Sequence, residues 1–132
     1  PNTYFIVAGY EKDSEEVHQK LYRVYLNNAR LIIPIDTFAQ GAIWDGETST
    51  LTRLVQNVAL INKDGTYSAQ PRNEILWNYF TLQDAVDFAR YAVETTINTM
   101  RFTKVIKTVG GNIDILVITP DETKWIQKTE IM

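Results

Sequence analysis

The chain has 132 residues, 45% of them hydrophobic and 22% charged, and it contains no cysteine. That length fits one domain with a core of its own, and the missing cysteines exclude disulfides, thiol nucleophiles and Cys-ligated metal centres. Thirteen basic against sixteen acidic residues leave a net charge of -3, which gives no electrostatic ground for a nucleic acid or an anionic membrane as partner.

The first predicted element is a strand over Thr3–Tyr10, a β-branched and aromatic run containing Gly9. Glu11–Gln19 is the most charged stretch and reads as an exposed connection. Lys20–Leu26 is a second strand, and Asn27-Asn28 supplies side chains that tolerate a left-handed backbone. A third strand starts at Arg30–Ile33, with Pro34 near its end, where a proline would be awkward in a central position. Three such runs joined by short polar links predict an antiparallel meander.

From Asp36 the pattern changes. Leu51, Leu54, Val55, Val58 and Ile61 recur at helical spacing and predict a helix within Asp45–Asn62, capped at its start by Thr48 or Ser49. Asn62-Lys63-Asp64-Gly65 is its stop signal, Thr66–Asn73 a loop, and Glu74–Phe80 fits either helix or strand. A long helix follows over Leu82–Arg101, with Leu82, Ala85, Val86, Ala89, Ala92, Val93, Ile97 and Met100 in one stripe. Thr81 is suited to cap it, and Asp84 three residues on completes a capping-box pattern. Asn112–Thr119 is then a strand, Pro120–Thr123 a turn, and Lys124–Ile131 the alternating partner strand. The predicted order is β-β-β-α-α-β-β, an α+β class with mainly antiparallel strands.

Residues able to carry chemistry are few. His18 is the sole histidine and sits in the charged stretch, where a solvated side chain is expected. No histidine set or calcium-loop spacing offers a metal site, so neither metal nor cofactor is expected. Asp84 with Asp87, and Glu15 with Glu16, are acidic pairs, but neither has the apolar setting that raises a carboxyl pKa for acid catalysis. Arg90 and Glu94 stand one turn apart and are expected to pair. The aromatic residues lack basic interleaving, so a base-stacking surface is not expected. Gly110-Gly111 precedes a strand instead of opening a helix, which fits backbone shaping better than phosphate binding. Pro1 offers one sharp alternative. A proline amine at a chain start can act as a general base when its surroundings lower its pKa, as in proline-based tautomerases.

A family resemblance spans nearly the whole chain. The helix LQDAVDFARYAVETTINTMRF followed by TVGGNIDILVITPDETKWI resembles the C-terminal part of proteasome-type subunits, the N-terminal-nucleophile (Ntn) hydrolases. YFIVAGY resembles that family's hydrophobic-Ala-Gly strand, and KLYRVYLNNARLIIPIDTFAQGAIWDG its hairpin entering the middle helix at Gly41. The resemblance implies half of an αββα sandwich, with Gly41, Gly110 and Gly111 as structural positions. It also implies a missing catalytic half, since the family's attacking threonine stands at a chain start and Thr3 does not. Where the family reads Asp-x-x-Ser-Gly-Gly, this chain has Ile106 and Val109 before Gly110-Gly111. Where it reads Gly-Ser-Gly, this chain has Gly41-Ala42-Ile43. The implied role is structural or in assembly, as a homo-oligomer or with a complementary N-terminal segment or subunit. The alternative is the C-terminal half of an active threonine hydrolase; a hydroxyl from Ser49, Thr103 or Thr108 beside an intact nucleophile would favour it. No apolar run approaches the ~18 residues of a membrane span and the start carries no signal-peptide pattern, so neither a membrane nor a nucleic acid is expected as partner, and the expected compartment is the cytoplasm.

Overall fold

The computed structural model describes residues 3–26, 31–56, 59–70 and 74–130. It is a mixed α+β protein: β1 (Tyr4–Asp13), β2 (Glu16–Tyr25), β3 (Ile32–Pro34), α1 (Ser49–Val55), β4 (Ala59–Ile61), β5 (Tyr67–Ala69), α2 (Leu82–Phe102), β6 (Ile115–Ile118) and β7 (Thr123–Gln127), with a 3-10 turn at Trp77–Tyr79. The strands form three small sheets, β1-β2-β3, β4-β5 and β6-β7. Two compact units divide the chain: Pro1–Gly41 with Leu116–Ile126, and Ala42–Ile115 with Gln127–Met132.

In the first unit the expected meander forms, but its first two strands reach further than the sequence predicts. Register runs unbroken from Tyr4 opposite Tyr25 to Asp13 opposite Glu16. The charged stretch expected to be a connection is therefore the outer half of a hairpin, closed by a two-residue turn at Ser14 and Glu15. Charge does not oppose strand pairing when both faces are wet. Glu11 lies 4.0 Å from Lys20, and Glu16 lies 3.4 Å from His18. Ser14 takes a positive φ of 52° at the first central position of the turn, where type II′ hairpins place it. β3 is short and sits at the sheet edge, pairing Tyr22 with Pro34. Leu21 accepts from the Ile35 amide and Leu31 from the Tyr25 amide, so Pro34 stands at a position whose N–H would point away from β2. An edge is where a strand proline is tolerated. Asn27, Asn28 and Arg30 lie outside the described residues.

The second unit holds the core. The buried hydrophobic side chains are Leu51, Val55, Val86, Met100 and Ile115, each 5–8% exposed. Among the described residues of the first unit, none is buried to that degree.

Helix α2 is the element closest to its expectation. Thr81 and Asp84 form the capping box, and the helix runs one residue past Arg101 to Phe102. Its buried face is Val86, Thr96 and Met100; of the expected stripe Ala92 and Ile97 are half-buried, whereas Leu82, Ala85, Ala89 and Val93 are exposed. The Thr96 hydroxyl donates to the Ala92 carbonyl at 2.9 Å, which lets a polar side chain occupy a core position. Arg90 pairs with Asp87 at 3.6 Å, on the preceding turn and not with Glu94.

The helix expected within Asp45–Asn62 is reduced to the seven residues of α1. Thr48 caps it without a side-chain hydrogen bond, and Gln56 is already extended. Leu51 and Val55 keep their helical places, Ile61 lies on a strand, and Val58 falls outside the described residues. The supposed stop signal is a hairpin turn. Asn62 N–H donates to the Thr66 carbonyl at 2.7 Å and Gly65 N–H to the Asn62 carbonyl at 3.0 Å, with Gly65 at φ 86°. That is a type I turn closed by a glycine bulge, and it converts part of the expected loop over Thr66–Asn73 into β5. The observed order therefore carries a β4-β5 hairpin between the two helices, absent from the predicted β-β-β-α-α-β-β.

Candidate functional site

Three local arrangements organise the polar side chains, each within one unit. At the tip of the β4-β5 hairpin, Asp64 Oδ1 accepts from the Thr66 hydroxyl at 2.6 Å and from its amide at 3.0 Å. Asn62 Nδ2 donates to Thr66 Oγ1 and Ser68 Oγ. The two Thr66 bonds, the hydroxyl first, hold the Asp64 carboxyl below its ordinary value.

Asp114, just before β6, clamps the segment after β7. Its Oδ1 accepts from the Thr129 amide at 2.6 Å and the Thr129 hydroxyl at 2.7 Å. Those bonds, the hydroxyl again the larger cause, lower the Asp114 pKa, with a smaller contribution from the Lys128 charge. A carboxylate stabilised as its anion is a weaker base, so both aspartates suit a structural clamp better than proton abstraction.

The third arrangement lies at the end of β3. Phe38 N–H donates to Asp36 Oδ1 at 2.8 Å, and the Thr37 hydroxyl donates to the Gln19 carbonyl at 3.1 Å. These bonds fix a short turn that presents Phe38 at 97% exposure. No periodic signal marks Phe38, because its position depends on a side-chain bond two residues back.

The sequence-predicted residues do not converge. Asp84 is engaged in the helix cap, and Asp87 accepts from Gln83 Nε2 at 2.9 Å besides pairing with Arg90. His18 and Glu16 face solvent on the β1-β2 hairpin. Thr103 Oγ1 donates to the Thr99 carbonyl at 2.8 Å; Ser49 opens α1, and Thr108 is exposed on the segment leading to Gly110. Ile106 is exposed and Val109 half-buried. Gly111 has φ 85°, the left-handed region that favours glycine. Gly110 and Gly41 lack that φ, and a Cβ at either would meet nothing within 4 Å. Pro1 lies outside the described residues. Among the described residues, no three His, Asp or Glu side chains gather as metal ligands, and no helix is long and apolar enough to cross a membrane.

Aromatic side chains do gather, around the start of α2. Phe88 packs edge-on against Trp77 at 5.0 Å between ring centroids, with Phe80 at 6.0 Å and Tyr91 at 6.1 Å. This cluster explains why the ambiguous Glu74–Phe80 segment is neither helix nor strand. It folds as one 3-10 turn that delivers Trp77 and Phe80 onto α2, each such ring pair contributing about 0.5–1.5 kcal/mol beyond its buried area.

Comparison with protein-family models, with curated proteins and with solved structures gives no match.

Proposed function

We propose that the chain is a proteasome-like, Ntn-hydrolase-type polypeptide that serves a structural role in an assembly and does not itself cleave peptide bonds. What carries the reading is one stretch of chain. A 21-residue helix with a capping box leads through Gly110 and the left-handed Gly111 into the β6-β7 hairpin, the succession on which the family resemblance rests. The antiparallel meander ahead of it is compatible with the same fold; the β4-β5 hairpin is a departure from the expected order.

The non-catalytic half of the proposal rests on residue chemistry. Threonine hydrolases need a hydroxyl nucleophile with its amine as base, supported by polar side chains. At the family's supporting positions this chain has Ala42, Ile106 and Val109, which offer neither a proton acceptor nor a hydroxyl. The assembly half rests on the first unit. Tyr4, Phe5, Ile6 and Val7 in β1, and Phe38 beyond β3, are exposed apolar side chains in a unit without a buried hydrophobic residue among those described. Apolar surface of this kind is a recognition surface when it is continuous.

Incubation with a panel of fluorogenic peptides and a hydroxyl-directed covalent inhibitor tests the reading. It predicts no turnover above background and an unchanged intact mass. Turnover that is abolished together with a stoichiometric mass gain on one threonine would overturn it in favour of the hydrolase alternative.

A further inference from the structure

Among the described residues, β1 pairs along one edge alone, with β2. Leu26 N–H donates to the Thr3 carbonyl at 2.8 Å, which makes that pair a hydrogen-bonded one. Because the register to β2 is unbroken, the alternation of an antiparallel ladder then assigns every position. Odd-numbered residues from Thr3 to Asp13 turn their N–H and C=O groups toward β2. Tyr4, Ile6, Ala8, Tyr10 and Lys12 turn theirs outward, and among the described residues no strand other than β2 pairs with β1.

Natural sheets blunt such edges with short strands, prolines, bulges or charges. The opposite edge of this sheet does so: β3 has three residues and ends in Pro34. β1 does not. It is ten residues long and bulge-free, and Tyr4–Tyr10 contains neither a proline nor a charge. Its two faces are apolar and open alike, with Tyr4 36% and Ile6 41% exposed on one, Phe5 52% and Val7 51% on the other.

We propose that β1 is a strand-pairing surface whose partner is β1 of a second copy, antiparallel about a two-fold axis at Val7. The outward groups of the even-numbered residues permit this register, which sets Tyr4 opposite the second copy's Tyr10 and Ile6 opposite its Ala8. Side-chain volume selects it. At its centre large residues meet small ones, Ile6 against Ala8 and Phe5 against Gly9, while Val7 meets its own copy on the axis and the aromatic Tyr4 and Tyr10 meet at its ends. A Cβ built on Gly9 would meet no atom within 4 Å, so the surface there is open to an opposing ring, and an aromatic residue over a strand glycine is a stabilising cross-strand pair. Like charges do not face one another within Tyr4–Tyr10. The pairing joins two three-stranded meanders into one six-stranded sheet, a common size, and its isologous contact closes as a dimer. The inference goes beyond the proteasome-like reading and stands apart from it, since the geometry of β1 and β2 alone carries it.

Sedimentation velocity of the full chain, with two variants, is the test. The wild type is expected at twice its 15.2 kDa mass. Ala8→Pro removes an outward N–H without touching the bonds to β2, and Ile6→Lys places a charge on the exposed edge; each is expected to sediment as a monomer with an unchanged circular dichroism spectrum. Should Ala8→Pro fail to fold, Ile6→Lys decides. A monomeric wild type overturns the proposal, and so points to an edge covered by a different polypeptide. Folded variants that remain dimeric overturn it too, because the dimer then uses another surface.

Discussion

Thr81 and Asp84 satisfy each other's backbone at the start of α2: the Thr81 amide donates to Asp84 Oδ2 at 2.9 Å, and the Asp84 amide donates to Thr81 Oγ1 at 3.1 Å. Two amides that the helix cannot pair internally are thereby paired. Thr81→Ala is expected to lower the unfolding free energy by about 1 kcal/mol. Chemical denaturation of the variant checks this. Because the pair acts reciprocally, the double variant with Asp84→Ala should cost less than the two single losses added.

Two turns predict opposite signs for a change at a positive φ. Gly65 at φ 86° closes the β4-β5 turn, and Gly65→Ala should destabilise that hairpin by about 1–2 kcal/mol. Ser14 at φ 52° is a non-glycine residue in the same region, and Ser14→Gly should stabilise the β1-β2 hairpin by up to about 1 kcal/mol, net of glycine's greater freedom in the unfolded chain. Amide hydrogen exchange at Asn62 and Gly65, and along Glu11–His18, reads each hairpin separately.

The Asp114–Thr129 clamp predicts a pH dependence. Its folded pKa lies below the ordinary aspartate value of 3.8, so the unfolded chain binds a proton more readily. The clamp's contribution is therefore fully present above pH 3.8 and is lost as the pH falls through the folded pKa. Asp114→Asn should flatten that part of the stability profile and leave the neutral region parallel to wild type. A carboxyl-carbon NMR titration placing Asp114 at or above its ordinary value would contradict the assignment.

Thr96 separates packing from hydrogen bonding in the core. Thr96→Val conserves volume and removes only a hydroxyl whose acceptor, the Ala92 carbonyl, also serves the helix backbone, so no polar group is orphaned. Stability should change by less than about 1 kcal/mol. Met100→Ala, at the same face, should cost about 2–5 kcal/mol by opening a cavity. Thermal unfolding of the two variants distinguishes these outcomes.

These particulars also show which information was local. The α2 cap was legible because Thr81 and Asp84 specify it within four residues, and the β6-β7 turn because Pro120 and Asp121 bend the chain where Thr119 N–H reaches the Glu122 carbonyl at 2.8 Å. The two hairpins escape a reading of the sequence for opposite reasons. At Glu11–Gln19 strand pairing came from cross-strand partners, which no period along the chain records. At Asn62–Gly65 the same residues that end a helix also turn a hairpin, and the short apolar run Ala59–Ile61 fits either. Thr96 shares the buried face by position, and only its polarity sets it outside the apolar stripe.

The candidate chemistry was less legible than the fold. Asp84 takes the capping role its spacing from Thr81 marks, while Asp114 is visible only through Thr129, fifteen residues away and across a hairpin. Long-range pairing of that kind has no signature in spacing.

The proposal that the chain is half of a proteasome-like sandwich with a role in assembly is tested most directly by an experimentally determined structure of the protein in the oligomeric state it adopts in its native source. The account predicts two antiparallel sheets packed face to face between helical layers, with the apolar faces of β1 covered by polypeptide and no threonine nucleophile poised beside Ile106 and Val109. A structure in which these sheets form no such sandwich, or in which β1 stays exposed in the native assembly, would contradict it.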